Sequence, residues 1–301
     1  MYTRSIVMPL TVITRAAEDM SRGRFSTRAA VTGVNEVRQL AGAFNVMADK
    51  LAQVEESRRE FVANVSHELR SPVTSIHGFV EGMLDGTIPL EERDRYLQVV
   101  SDETNRLKKL IADLLDLSRM EKGAVALKMT AVAINEAIRR VVIGRMNDLE
   151  QRKIELHLDF QQEICMVNAD QDRITQVIYN LLDNALKFLN DNGNLTIGTS
   201  LVHDMVSVVV ANDGAPILPE DRPHIFERFY KADKAHTVGK GSGTGLGLSI
   251  CQRIMQQHGQ QIRLLPTETG AAFEFTLEAA NRPRSLGEGG DKREKDTAER
   301  E

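Results

Sequence analysis

His67 sits in the stretch FVANVSHELRSP, residues 61–72, with Glu68 beside it. It lies two positions past the apolar Val65, about 200° around a helix, so its imidazole should face solvent. An exposed imidazole can meet a ligand. A neighbouring carboxylate could hold the tautomer that leaves one ring nitrogen free to attack phosphorus, and could accept the proton as the bond forms. Most surface histidines are merely solvated, so the company His67 keeps decides its weight. Pro72, inside the same helical pattern, removes one backbone hydrogen bond and predicts a bend just past the histidine.

Asn180, Asn184 and Lys187 form an i, i+4, i+7 set, which puts two amides and an ammonium along one helix face. Two amide oxygens suit Mg²⁺, which keeps waters and phosphate oxygens and needs only one or two protein ligands, while the lysine can neutralise phosphate charge. The same face could equally be a solvated one opposite the apolar Ile178, Leu181, Leu182 and Leu186, and the segment alone leaves both open. Two glycine-containing stretches follow, residues 212–217 (NDGAPI) and residues 241–248 (GSGTGLGL). Glycines at alternate positions in the second allow the backbone to approach phosphate oxygens and present N–H groups, and the helix start that follows adds favourable partial charge. It lacks the Gly-Lys-Ser/Thr ending of a P-loop and the spacing of a dinucleotide turn. A flexible linker is the plainer reading, but the immediate return to Leu248, Ile250, Ile254 and Met255 argues against it.

These residues need elements to position them. Ile6, Leu10, Ile13, Ala17 and Met20 recur at helical spacing, and a Gly- and Ser-containing connector runs from Ser21 to Asn35. A second helix then carries Val37, Leu40, Phe44, Met47, Leu51 and Val54 in alternating steps of three and four, the seam of a parallel coiled coil or small bundle. One chain has little to cover that seam, so a second copy is the expected partner, with packing against another domain of the same chain as the plainer alternative. The pattern continues through Phe61, Val65, Leu69 and Val73 in steps of four, a change of register. A turn at Gly86–Pro89 separates it from the stripe Val100, Leu107, Leu110, Leu114, Leu117, which runs to about Met120. Two such hairpins would close a four-helix bundle. After Gly123 the texture becomes α/β. It predicts a helix from about Asn135, a strand over Ile154–Phe160, a helix over Asp172–Leu189, strands Leu195–Thr199 and Met205–Ala211, and a lid-like stretch Glu227–Ser242. A helix ending near His258 and strands Gln261–Leu265 and Ala271–Leu277 follow. The charged remainder, Asn281–Glu301, is expected to be disordered.

A length of 301 residues suggests two or three units. The net charge of −5, with 27% charged residues of both signs, offers no basic field for nucleic acid or anionic lipid. Cys165 and Cys251 belong to no metal-ligand pattern and read as buried thiols in a reducing compartment. No run approaches the roughly 18 apolar residues of a membrane span, and no secretory signal opens the chain. The sequence as given is thus expected to be cytoplasmic. Its first residues already read as helix, as though a membrane segment preceded them in a parent protein.

Taken in order, these segments resemble the sensor histidine kinases of two-component signalling, up to about Ala280. Residues 61–72 look like the family's histidine box, which makes His67 the phosphoacceptor and Glu68 the assisting carboxylate. Residues 180–188, NLLDNALKF, look like its asparagine box, in which Asn180 and Asn184 would hold Mg²⁺ and, with Lys187 and Phe188, serve ATP. Residues 225–230, IFERFY, resemble the phenylalanine motif at the lid edge, implying Phe226. Residues 243–247, GTGLG, resemble the second glycine box, implying Gly243, Thr244, Gly245, Leu246 and Gly247 at the phosphates. Residues 9–51, with Pro9, Glu36, Phe44, Asn45 and Met47, look like a HAMP relay module, which in the family usually follows a transmembrane helix. There are departures. Where the family has Asp-x-Gly-x-Gly against adenine, this chain has Asn212, Gly214 and Pro216, so either the Asn212 amide oxygen accepts the hydrogen bond without charge or Asp213 takes its place. Ser71 stands where a Thr or Asn commonly supports dephosphorylation of the partner.

The expected architecture is therefore multidomain. It comprises a helical HAMP module (1–53), a dimeric four-helix-bundle hairpin (54–123), an α/β sandwich of the Bergerat type that binds ATP (124–280) and a charged tail (281–301). The resemblance implies an ATP- and Mg²⁺-dependent homodimer that phosphorylates His67 and passes the phosphoryl group to an aspartate of a response regulator. Two alternatives stand beside it: an inactive dimeric scaffold, and an ATPase of the same nucleotide-binding fold.

Overall fold

The computed structural model describes residues 3–121, 126–232, 243–267 and 269–280. The tail 281–301 and residues 233–242 of the lid-like stretch, which include Gly241 and Ser242, lie outside them. The chain forms two compact units that divide between Lys108 and Lys109.

The first unit is helical. A π-helical turn at Thr3–Val7 leads into α1 (Met8–Ser21), and α2 (Asn35–Leu84) follows as a single helix of 50 residues, about 75 Å long at 1.5 Å per residue. The connector between them is pinned by Asn45, whose amide donates to the Ala29 carbonyl and accepts from the Ala29 N–H, both at 2.9 Å. Ile13, Ala16 and Met20 of α1 share one buried cluster with Val37, Ala41, Phe44 and Ala48 of α2. This divides the expected seam in two. Val37 and Phe44 are buried within the chain, while Leu40, Met47, Leu51 and Val54 stay exposed. The alanines explain the division, because fully buried Ala41 and Ala48 let the apolar face close at short range, and a count of large side chains alone passes over them.

Beyond this, α2 continues unbroken through the buried Pro72. The hairpin turn is fixed locally: Asp85 Oδ1 accepts from the Thr87 N–H at 2.9 Å, Ile88 N–H donates to the Gly82 carbonyl at 2.7 Å, and the Arg93 guanidinium donates to the Met83 carbonyl at 2.7 Å. A 3₁₀ turn, Leu90–Glu92, leads into α3 (Arg93–Glu121), and Phe79 meets Tyr96 with ring centroids 5.1 Å apart.

The second unit takes in α3 from Lys109 onward and the α/β body. β1 (Met129–Ala133) pairs antiparallel with β3 (Met166–Asp170), and α4 (Ile134–Ile143) and α5 (Met146–Gln151) lie between them in sequence. β2 (Glu155–Phe160), β4 (Asn194–Val202), β5 (Met205–Asn212), β7 (Ala271–Glu278) and β6 (Ile262–Leu265) form a five-stranded sheet in the order β2-β4-β5-β7-β6. Only the β2–β4 pair is parallel. Helices α6 (Gln171–Phe188) and α7 (Gly247–Gln257) pack on each other. Ile174, Val177, Ile178, Leu181 and Leu182 of α6 and Ile250, Ile254 and Met255 of α7 are buried, as are Leu195 and Ile197 of β4, Val208 of β5 and Phe275 of β7. The amphipathic period of α6 thus fixes which of its faces is left for chemistry.

Most expected elements are found, and three were not foreseen: β1, β3 and α5. The two strands are five residues each, too short for an alternation to stand out.

Candidate functional site

Asp170 begins the site by setting where α6 starts. One of its carboxylate oxygens caps the helix at the Arg173 N–H (3.2 Å) and the other accepts from the Lys128 N–H (2.9 Å). Burial pushes its carboxyl up, but these backbone donors outweigh that and hold it below the ordinary range. From this start, the face of α6 opposite its buried residues opens onto a cavity of about 250 Å³.

Asn180, Asn184, Lys187 and Phe188 line the cavity from α6, and Gly243, Thr244, Gly245 and Gly247 line it from the glycine loop and the first residue of α7. The polar face of α6 is therefore a cavity wall. Asn180 Nδ2 donates to the Gly247 carbonyl at 3.4 Å, tying the two segments together. Gly245 has φ +71° and its carbonyl accepts from the Phe229 N–H at 2.9 Å; a Cβ there would lie 2.7 Å from Phe229 Cα. Only glycine permits that approach.

The far wall is largely apolar, built from Pro216, Ile217, Leu218, Ile225, Ala271 and Phe273, with Asn212 among them. The Asn212 amide is satisfied with its nitrogen donating to the Ala271 carbonyl (3.2 Å) and its oxygen accepting from the Gly214 N–H (3.1 Å). A carbonyl-type oxygen has a second lone pair, so it can still accept from a ligand. Asp213 has a different task. Its carboxylate accepts from both the backbone N–H and the side chain of Asn194, at 2.8 and 2.6 Å, and these bonds hold its carboxyl below the ordinary range. It does not line the cavity, so of the two candidates it is Asn212 that faces the cavity.

Three expected site residues stand behind the wall. Gly214 packs so closely that a Cβ would fall 2.0 Å from the Phe188 carbonyl oxygen. Phe226 meets Phe273 edge-on, with centroids 6.3 Å apart. Leu246 is fully buried and precedes α7. His67 and Glu68 belong to the first unit. His67 is exposed, as its helical phase predicts, whereas Glu68 is 15% exposed and pairs with Arg106 of α3 at 3.4 Å.

Charged residues the sequence did not single out also line the cavity, among them Asp183, Asp221, Lys109 and Asp113. Asp183 accepts from Lys187 (2.9 Å), Lys109 (3.0 Å) and Arg145 (2.9 Å). Burial raises its carboxyl, but the ammonium groups of Lys187 and Lys109 outweigh burial and leave it below the ordinary range. Asp221 accepts from the Tyr230 hydroxyl at 2.5 Å, and that bond pushes the Tyr230 phenol up to about 12. Asp183 could have been read from sequence, since it lies one turn before Lys187 on the same face. The other three become visible only once the chain has folded.

The site thus combines a slot with apolar walls, two amides beside an ammonium, and a glycine loop at a helix start, in an α/β body that follows a helical hairpin. Comparison with known proteins agrees. Residues 169–281 match the family of histidine kinase-, DNA gyrase B- and HSP90-like ATPases, residues 57–123 the His Kinase A (phospho-acceptor) domain, and residues 1–53 the HAMP domain. The sensor histidine kinase YclK of Bacillus subtilis is 32% identical over 250 residues, which cover 81% of this chain and 52% of the relative. The structure of histidine kinase ThkA in complex with response regulator protein TrrA has a TM-score of 0.62 and 29% identity, covering 76% of this chain and 66% of that one. Full-length ShkA in complex with AMPPNP has a TM-score of 0.55 and 25% identity, covering 73% of this chain and 46% of that one. The chain thus carries the HAMP, phospho-acceptor and ATPase domains in that order and is similar to sensor histidine kinases. It spans about half the length of YclK.

Proposed function

We propose that this chain is an ATP-dependent protein-histidine kinase that phosphorylates His67 and passes the phosphoryl group to an aspartate of a response regulator. The observation that carries this reading is the convergence of the segment 180–188, Asn212 and the glycine loop 243–247 on one cavity. The apolar wall fits a purine, with Asn212 offering an uncharged acceptor to its amino group. Lys187 and the backbone N–H groups at the start of α7 fit phosphates. Among the described residues no cluster of His, Cys, Asp and Glu could hold a metal by itself, so Mg²⁺ would be held by the phosphates together with Asn180 and Asn184. The ion would supply charge neutralisation at the transferred phosphoryl group.

In the reaction, an unprotonated nitrogen of His67 forms a bond to the γ-phosphorus as the bond to the bridging oxygen breaks and ADP leaves. The proton on the ring then passes to a base, the role assigned to Glu68. Arg106 holds that carboxylate on the α3 side of the hairpin and so governs its availability. Exposure of His67 supports access by both the nucleotide and the regulator, and the ThkA–TrrA complex supports a partner of that kind.

The domain reading is residues 1–53 as relay module, 54–123 as hairpin and 124–280 as ATP-binding domain. The exposed Leu40, Met47, Leu51 and Val54 support a homodimer closed along α2. No helix among the described residues is long and apolar enough to cross a membrane; the membrane attachment proposed for the parent protein would lie outside them. Calorimetric titration with AMPPNP tests the nucleotide site. Binding should require Mg²⁺, and Asn184→Ala should lose that requirement along with most of the affinity. A folded chain that binds no nucleotide with Mg²⁺ present would instead favour an inactive scaffold.

A further inference from the structure

Two residues of α3, one turn apart, reach the cavity from outside both nucleotide motifs. Lys109 pairs with Asp183 at 3.0 Å, and Asp113 Oδ2 accepts from the Thr244 hydroxyl at 3.3 Å. Thr244 belongs to the glycine loop, and a Cβ on the adjoining Gly243 would lie 2.9 Å from Lys187 Nζ. Loop, lysine and Asp113 therefore meet at the same end of the cavity. That end has the chemistry of an anion site, with an ammonium, closely approaching backbone and a helix start nearby. A carboxylate is the wrong sign of group to leave beside a bound phosphate. Burial raises the Asp113 carboxyl, and the opposing Lys109 charge and Thr244 bond do not offset this, so structural gain is a poor account of its place. Arg173 pairs with Asp116 one turn further along at 3.2 Å, which shows that α3 has another anchor on this body and does not depend on Asp113 for docking.

We infer that Asp113 competes with the terminal phosphate of the nucleotide for the glycine loop, so that triphosphate loading and the Asp113–Thr244 contact exclude each other. The inference rests on the nucleotide-site reading above. Asp113 thereby determines affinity according to phosphate-chain length: it disfavours a triphosphate most, a diphosphate less and a nucleoside not at all. Release of Asp113 on loading would also loosen the end of α3 from the α/β body, linking the nucleotide to the helix that completes the hairpin.

The test is titration of the full chain with AMPPNP, ADP and adenosine in Mg²⁺, comparing the parent with Asp113→Asn and Asp113→Ala. Both variants should bind AMPPNP about tenfold more tightly, ADP with a smaller gain, and adenosine unchanged. Equal or weaker AMPPNP binding by variants of a parent that does bind would overturn the inference while leaving the nucleotide site standing. If neither parent nor variants bind AMPPNP, the nucleotide reading itself fails, and this one with it. Hydrogen exchange on the parent needs no variant: AMPPNP should speed amide exchange over residues 109–120, and unchanged or slowed exchange there would count against the inference.

Discussion

Asp183 shows how one carboxylate can organise a site it was not expected to serve. It gathers Lys187, Lys109 and Arg145 within 3.0 Å, and without it three cations would face one another beside the cavity. Because the Asp183 carboxyl lies below its ordinary value of 3.8, the folded state favours its ionised form. Its contribution is complete above that value and is lost as pH falls through the lowered one. Asp183→Asn should therefore cost about 2 kcal/mol at neutral pH, and urea unfolding should show the gap to the parent closing as pH falls below 3.8. A gap that stays constant across that range would assign the loss to something other than charge. Gly214 presents a steric case. With the Phe188 carbonyl 2.0 Å from a would-be Cβ, Gly214→Ala must displace the end of α6, and should lower stability by about 2 kcal/mol or more while weakening nucleotide binding. At this scale the sequence was informative where motif spacing sufficed, as for Asn180, Asn184 and Lys187. It left Asn212 and Asp213 as rivals because adjacent residues in a loop can point either way until Asn194 claims one of them.

Elements with strong periodicity were readable from the chain. The apolar positions of α6 recur at helical spacing over 18 residues, and its buried face follows directly. β1 and β3 were not readable, since each needs the other to exist and their register is fixed through Asp170, which caps α6 and closes the pair at Met129. α2 is an intermediate case: its helical period was plain, but two apolar faces overlap on it. Val37, Ala41, Phe44 and Ala48 are used within the chain, and the face carrying Leu40, Met47, Leu51 and Val54 is left exposed. If that second face joins two chains, replacing Leu51 and Val54 by Lys should shift sedimentation from dimer toward monomer with helix content retained. A double variant that sediments as the parent does would place the dimer contact elsewhere.

For the whole molecule, the helical unit presents an exposed histidine, and the α/β unit assembles a site suited to a nucleotide and its cation. The proposed phosphoryl transfer needs both. Length suggested two or three units and texture three domains and a tail; the chain clusters into two, and the division at Lys108 and Lys109 falls inside α3 because its last part packs on the α/β body. A sequence pattern records helix and period but not which body a helix end packs on, so Lys109 and Asp113 could not be foreseen as cavity residues. On the proposed function, His67 receives phosphate from a nucleotide bound at Asn180, Asn184 and Lys187. The most direct measurement is incubation of the purified chain with γ-labelled ATP and Mg²⁺ beside His67→Gln and Asn184→Ala, followed by acid and alkali treatment of the labelled protein. Label is expected on the parent, removed by acid and spared by alkali, and absent from both variants. Label that survives acid, or persists in His67→Gln, would contradict the proposed function.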